Sequence, residues 1–325
     1  MSGVPAPIDS SALPAPQTGG ADASAPRRKS RYSLLTGRDK VTLALMVGIP
    51  TILCLSFIWL PTLASIALSF TNWRGITPIT ANNIVGFKNY EVLFTQYTLF
   101  WPAVFHNVIW LLFLVFIATP IGIFLAVLLD REMKGTRVYQ SAFYIPVVLS
   151  LAIVGFIWQL MYSTDQGLIN AVLAKFGVAP IDWLGNPHLN LWAVLIAASW
   201  RHVGYMMILY LAGLKSVDPA LKEAAAIDGA SDWQAFRYVV FPALRPINIV
   251  VLVITVIESL RAFDLVYVIN GGRNGLELLS VLVTQNIIGE ASRIGYGSAI
   301  ATIMLVISTV FIVIYTLNIF REERR

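Results

Sequence analysis

Residues 216–246 read SVDPALKEAAAIDGASDWQAFRYVVFPALRP, and the fold of the chain follows from reading them and then their surroundings. Asp218 followed by Pro219 is an N-cap and first-turn pair. The carboxylate can accept from the free amides of the first turn, and proline's fixed φ and missing N–H cost nothing there. The run through Ala226 consists of strong helix formers. Gly229 suits the left-handed position that stops a helix. Ser231 and Gln234 stand at capping-box spacing, so a second helix starts there, and Pro242 and Pro246 are expected to end it. The segment therefore reads as a short helix, a sharp turn and a second short helix. Ala224, Ala225, Ala226 and Ala230 carry little bulk, so another protein surface can approach closely.

On both sides of this segment the chain turns apolar. Six stretches read as spans: Val41–Phe70, Pro102–Leu129, Ala142–Met161, Leu191–Leu214, Ile247–Ile269 and Gly295–Phe320. About 20 apolar residues at a rise of about 1.5 Å cross a bilayer, so each is long enough. The 325 residues are 57% hydrophobic and 13% charged, with a mean hydropathy of +0.72. Soluble domains run near 25% charged, so the composition itself points to a membrane. The fold class is an all-α integral membrane protein. Residues 32–325 form one six-span transmembrane domain, and 215–246 form the long loop between spans four and five. What remains is a tail and short loops, which excludes a separate soluble catalytic domain, a coiled coil and a disulfide scaffold. The single cysteine, Cys54, lies inside the first span and reads as a small hydrophobe. That span is too long for a signal-peptide core and follows a long polar segment, so it reads as an uncleaved anchor.

Residues 1–31 contain no aromatic residue and are rich in Pro, Ala, Ser and Gly. They are expected to be a disordered cytoplasmic tail. Pro50, Pro61, Pro120 and Pro146 fall within spans and are expected to kink or break them. The net charge is +5, and its placement decides its meaning. Arg27, Arg28, Lys29, Arg31, Arg38 and Lys40 crowd ahead of the first span, and with the N-terminus inside most of the 23 Lys and Arg fall on the cytoplasmic side. Only Arg74, Lys88, Lys175, Arg273 and Arg293 fall outside. This is the positive-inside asymmetry, with lipid headgroups as the partner and both termini cytoplasmic. No basic groove interleaved with aromatics occurs, so nucleic acid is not indicated.

The loop carries a further pattern. Glu223-Ala224-Ala225, Ile227-Asp228-Gly229-Ala230, then Gln234, Phe236 and Phe241-Pro242 resemble the coupling-loop signature of ABC importer permeases. The lead-in Leu211-Ala212-Gly213-Leu214 with Asp218-Pro219 resembles the sugar-transporting branch. The resemblance extends over nearly all of 34–320, through Asn107, Pro146, Gly167-Leu168-Ile169-Asn170, Gly177, Trp183-Leu184, Phe263-Asp264, Gly271-Gly272 and Gly295-Tyr296-Gly297-Ser298-Ala299. One departure is Arg273, where the family often has proline. The chain also lacks the large extra outer domain and added N-terminal spans of the maltose-type subunit.

The resemblance implies a type I ABC importer permease fold, in the inner membrane of a bacterium or archaeon. It implies a second permease subunit, in all expectation a different chain, two cytoplasmic ATPase subunits and an extracytoplasmic sugar-binding protein. ATP and Mg would be bound by the ATPase, and no cofactor is expected in this chain, which has no GxxxxGK[ST] motif. Glu223, Ala224, Ala225, Asp228, Gly229 and Ala230 would form the ATPase-coupling contact, with Glu223 anchoring the helix and Gly229 making the turn.

Charges inside the spans are the candidate transport residues. Glu258, Arg261 and Asp264 are three residues apart, which on one continuous helix places them on one face. A charge in mid-membrane must face water, a ligand or a partner. They read either as an ion-pair set within span five or as groups that hydrogen-bond sugar hydroxyls. In the maltose-type permease, polar residues at positions matching Glu258 and Arg261 contact the sugar, and Ser150 matches another such position, although a serine can equally bond its own helix. Asp264, nearer the outer end, reads as structural. Arg201 in span four is expected to pair with Glu258 or Asp264, with direct substrate contact as the alternative, and His202 to be a satisfied packing or hydrogen-bonding residue. Trp158, Tyr162 and Trp183 read as interfacial aromatics or sugar-stacking rings. His106, His188 and His202 give no metal spacing, and no catalytic set such as HExxH occurs. A permease for glycerol phosphate or amino acids is the alternative, then a secondary carrier built on the same charges, then an intramembrane enzyme.

Overall fold

The computed structural model describes residues 36–131, 134–289 and 292–323, without the side chains of 315, 316 and 318–323. The expected tail, residues 1–31, lies outside the described residues. The chain divides into two compact units, residues 1–58 and 59–325.

In the first unit, α1 (Gly37–Cys54) starts at a capping box. The Asp39 amide donates to Thr36 Oγ1 at 3.3 Å, and the Thr36 amide donates back to Asp39 Oδ2 at 3.0 Å. None of its residues is buried, and Val41, Met46 and Val47 are at least 60% exposed. A helix apolar all round and buried nowhere in its own chain needs lipid or another subunit around it. Cys54 is likewise exposed.

The second unit contains α2 (Leu60–Leu68), α3 (Lys88–Thr95), α4 (Phe100–Asp130), α5 (Thr136–Val148), α6 (Leu151–Met161), α7 (Leu168–Ala174), α8 (Asn190–Ser216), α9 (Pro219–Ile227), α10 (Asp232–Ala243), α11 (Arg245–Leu260), α12 (Asp264–Asn270), α13 (Leu279–Ile288) and α14 (Ile294–Glu323). Among the described residues the one β feature is an isolated bridge between Thr71 and Ile84. Gly37–Leu68, Phe100–Asp130, Asn190–Ser216 and Ile294–Ile314 are long and apolar enough to cross a membrane. The third stretch bends by 100° between α5 and α6, at the break expected of Pro146, and the loop helix α10 meets α11, which opens the fifth stretch, at 73°.

Three helices contain π turns, Leu55–Trp59, Leu114–Ala118 and Phe236–Val240. Each ends two residues before a proline: Pro61, Pro120 and Pro242. A proline in a helix offers no N–H to the carbonyl four residues back and crowds it. Here those carbonyls, of Phe57, Phe116 and Tyr238, lie within the widened turns, which accommodate the ring without ending the helix. Pro242 therefore does not stop the second loop helix. The break comes at Leu244, with φ −76° and ψ 7°. Pro146 acts as expected: α5 ends two residues later, Leu149 is extended, and Ser150 caps α6.

Three buried clusters hold the second unit together. One joins α4, α6, α8 and α12 through Trp110, Val154, Val194 and Val266. A second joins the far ends of α4 and α8 to Val240, Leu244 and Val251. The third packs Leu93 and Phe100 on Leu282 and Ile300. Small residues let the helices close up. A Cβ at Gly122 would lie 2.6 Å from the Met206 Cβ, and one at Gly204 would overlap the Phe143 carbonyl oxygen. A Cβ at Gly295 would overlap the Thr71 carbonyl, so the small residues opening the last helix serve packing.

Candidate functional site

The fifth stretch does not run as one helix past Leu260. Arg261 is the C-cap of α11, Ala262 and Phe263 are non-helical, and α12 begins at Asp264. Neither glycine nor proline marks the break; side chains from elsewhere hold it. Asn107 Nδ2 on α4 donates to the Ser259 carbonyl at 2.9 Å, and its Oδ1 accepts from the Leu279 amide at 2.9 Å. Ser280 Oγ donates to the Ala262 carbonyl at 2.6 Å. Carbonyls freed by the break are thus satisfied, as membrane-depth backbone requires.

Beside the break lies a cavity of about 220 Å³. Trp110, Val154 and Phe263 supply apolar wall, and Arg201, His202, Glu258, Arg261 and Asp264 supply the charge. Glu258 is engaged on both oxygens: Oε2 lies 2.9 Å from His202 Nδ1, and Oε1 lies 3.5 Å from Arg201 Nη1. The His202 ring is 3% exposed, and its Nε2 lies 3.2 Å from Thr119 Oγ1. A proton on Nδ1 lets the ring donate to the carboxylate while Nε2 accepts the threonine hydroxyl. Three helices, α4, α8 and α11, therefore meet in one chain of polar contacts. His202 and Thr119 were not read from the sequence as parts of this cluster. Their signal was a histidine directly after an in-span arginine, with a hydroxyl just before an in-span proline.

The expected face of Glu258, Arg261 and Asp264 is corrected by the break. The non-helical residues 262–263 take Asp264 off the α11 spacing that Arg261 ends, and among the described residues neither forms an ion pair or a side-chain hydrogen bond. Among the described residues Asp264 is thus not in an ion pair, whereas Glu258 is. Ser150 is the N-cap of α6, its Oγ accepting from the Ile153 amide at 3.3 Å, and it does not line the cavity. Trp158, Tyr162 and Trp183 pack on one another. Tyr162 is 3% exposed and donates its hydroxyl to the Ala193 carbonyl, its ring 5.2 Å from that of Trp158 and 5.9 Å from that of Trp183. Asn170 fastens the adjoining loop, donating to the Thr164 and Ile181 carbonyls and accepting from Trp183 Nε1 at 3.0 Å.

The second candidate surface is the loop 216–246. The Asp218 carboxylate caps α9, accepting from the Ala220 amide at 2.9 Å. At the other end the Ala230 amide donates to the Ala225 carbonyl, the Gly229 amide donates to Ala226, and Gly229 has φ +78°. These are the two bonds of a Schellman stop with its left-handed glycine. Ser231 and Gln234 then form a reciprocal capping box for α10. Lys222 Nζ reaches Asp130 at 3.1 Å and Arg131 reaches Asp232 at 2.7 Å, tying both loop helices to the end of α4. Glu223, Ala224, Asp228 and Gly229 are exposed, Ala230 is half-buried and Ala225 is buried. Ile227 is 86% exposed and Trp233 65%.

Residues 118–323, which contain both this loop and the broken helix, match the family described as binding-protein-dependent transport system inner membrane component. The chain belongs to this family. It is 34% identical over 261 residues to the trehalose/maltose transport system permease protein MalF of Thermococcus litoralis, covering 80% of this chain and 88% of the relative. It is 31% identical over 287 residues to the xylose/arabinose import permease protein XacH of Haloferax volcanii, covering 86% and 88%. A chain of a bacterial ABC transporter that imports the acidic polysaccharide alginate has the same fold, with a TM-score of 0.74 at 23% identity, covering 87% of this chain and 96% of that one. As a member of this permease family the chain is a multi-pass membrane protein and a transport component.

Proposed function

We propose that this permease forms half of the pore of an ATP-driven sugar importer and that the loop 216–246 couples it to a cytoplasmic ATPase. The observation that carries the reading is the doubly capped loop with its exposed apolar side chains, Ile227 and Trp233, inside the matched family region. Large apolar groups on an otherwise polar loop favour a protein partner. Sugar as cargo is supported by the names of the relatives. The full assembly would contain this chain, a second and different permease, two ATPase subunits that bind ATP and Mg, and a binding protein outside. Both termini would be cytoplasmic, on the side where the basic residues gather. ATP would close the ATPase dimer, draw the two coupling loops together and open the pore toward the binding protein. Glu223 would anchor α9 in the ATPase and Gly229 would fix the angle of α9 to α10. The energy reaches the pore only because the two pore states meet the ATPase differently. In the cavity, Arg261 is the sugar-side group, and Glu258 and Arg201, paired with each other, are its structural neighbours.

A tagged pull-down in mild detergent tests this, read by mass spectrometry and by ATPase turnover with a panel of sugars and binding proteins. Recovery of a second permease and an ATPase, stimulated by one loaded binding protein, is the expected result. Recovery of this chain alone, with solute flux that needs no ATP after reconstitution, overturns it in favour of a secondary carrier.

A further inference from the structure

The cavity beside the broken fifth helix contains two kinds of charge, and the difference between them assigns a residue. Glu258 is already committed: one oxygen faces the Arg201 guanidinium and the other the His202 ring, and His202 is itself buried and held by Thr119. A carboxylate bound in this way has little left to offer a passing solute, and freeing it would leave Arg201 without its anion and His202 without its acceptor. Arg261 and Asp264 stand on opposite sides of the non-helical residues 262–263, line the same cavity and are exposed, and among the described residues they engage no other side chain. Between them Phe263 lines the wall, its ring stacked at 5.0 Å on Tyr267.

We infer that Asp264 is a specificity-determining contact of the transported sugar, working with Arg261 across Phe263, and that the Arg201–His202–Glu258 cluster is fixed wall. The inference rests on the reading of the cavity as part of a sugar path. Its chemistry is particular. A carboxylate only accepts and a guanidinium only donates, so two adjacent hydroxyls can give one proton to Asp264 and take one from Arg261. The free pair carries no net charge and the fixed cluster offsets its own, so the solute selected is a neutral saccharide whose C–H face lies on Phe263. An anionic sugar would meet Asp264 as a like charge. The break is what makes this possible: on a continuous helix Arg261 and Asp264 would be neighbours at i,i+3 and would neutralise each other.

The test uses the whole complex, purified with its second permease, ATPase and binding protein and reconstituted in liposomes. Uptake of tritiated trehalose, maltose, xylose, arabinose and glucuronate is measured for wild type, Asp264→Asn, Asp264→Glu and Glu258→Gln. The expected result is that Asp264→Asn raises KM for the preferred neutral sugar about tenfold, the scale of one lost charged hydrogen bond. It should also alter the order of preference among the sugars and copurify with its partners in wild-type amount. Asp264→Glu should recover part of the affinity. Glu258→Gln should lower complex yield and slow uptake of every sugar alike, with the order of preference kept. The inference is overturned if Asp264→Asn leaves the order and KM unchanged, or if it loses the second permease on purification, which would make Asp264 an inter-subunit ion-pair partner. It is also overturned if Glu258→Gln alone changes sugar preference. A wild-type complex that moves sugar without ATP, or no sugar at all, fails the underlying reading instead and is recognised before any variant is compared.

Discussion

Gly229 in the loop 216–246 and Gly204 in α8, three residues after Arg201 and two after His202, are glycines for opposite reasons. Gly229 holds φ +78°, and a Cβ added there would meet nothing within 4 Å. Gly204 has ordinary helical backbone, but its Cβ would overlap the carbonyl oxygen of Phe143 on α5. The loop glycine is there for a backbone shape, the membrane glycine for a distance of approach. The same division runs through both regions. The loop is built from bonds between residues two to five apart: Asp218 to Ala220, Ala230 to Ala225, Ser231 to Gln234. The cavity is built from bonds that span the chain: Thr119 to His202, His202 to Glu258, Asn107 to Ser259 and Leu279.

The largest effect that can sharpen this comparison is expected from Gly204→Leu. Four extra carbons facing a backbone atom cannot be absorbed by a rotamer change, so α5 must move away from α8, and overpacking of this kind costs about 3 kcal/mol or more. Monodisperse complex after size exclusion in mild detergent should fall to a small fraction of wild type, and the ion cluster on α8 should fall with it. Wild-type yield and uptake would show that the α5–α8 distance is not what Gly204 protects.

Gly229→Val comes next. A β-branched residue at positive φ costs about 1–3 kcal/mol, and with open space around the site that strain is released by a change of turn, not by unfolding. Insertion and yield should match wild type, while ATP-driven uptake should fall by about tenfold or more because α9 and α10 no longer meet the ATPase at their set angle. Gly229→Asn, which tolerates the left-handed conformation, should keep most of the uptake. If the valine variant transports normally, the turn is not the coupling element and the contrast between the two glycines loses its functional half.

Local bonding explains why the loop was legible in the sequence. Asp218-Pro219, Gly229 and the Ser231/Gln234 pair state their own caps within a few residues, and the structure forms each of them. The apolar stretches were equally plain, since only composition and length are needed to see them. The break at 261–263 was not legible. Nothing in Leu260-Arg261-Ala262-Phe263 forbids a helix, and the residues that hold it open, Asn107 and Ser280, are 152 positions away and 18 positions away respectively along the chain. Reading a continuous helix therefore put Glu258, Arg261 and Asp264 on one face and gave Asp264 the structural role that Glu258 has. The prolines were read as kinks, but sequence alone does not say whether a helix will stop, as after Pro146, or widen into a π turn, as before Pro61, Pro120 and Pro242. Trp158, Tyr162 and Trp183 show the same limit: the Trp158–Tyr162 contact is local, but the contacts of Trp158 with Trp200 and of Tyr162 with Trp183 join separate segments.

Ser231→Ala is the smallest change and the strictest test of how local the loop is. Ser231 Oγ accepts from the Gln234 amide at a long 3.4 Å, while the reciprocal bond, from the Ser231 amide to Gln234 Oε1, is 2.8 Å and does not need the serine side chain. Half of the box therefore survives the substitution, and the loss should sit near the low end for an N-cap, about 0.5–1 kcal/mol. The neighbouring Arg131–Asp232 pair offers little compensation, because its side chains are 62% and 87% exposed and such pairs contribute at most about 1 kcal/mol. If loop elements act one by one, the stimulation of ATPase by a loaded binding protein should drop by no more than about fivefold and recover on cooling, as α10 refolds onto its remaining bonds. If Ser231→Ala instead abolishes stimulation as fully as Gly229→Val, then caps and turn form one cooperative unit. The loop would then share the long-range interdependence of the cavity, and its ease of reading would reflect short spacing in the sequence without independence in the energy.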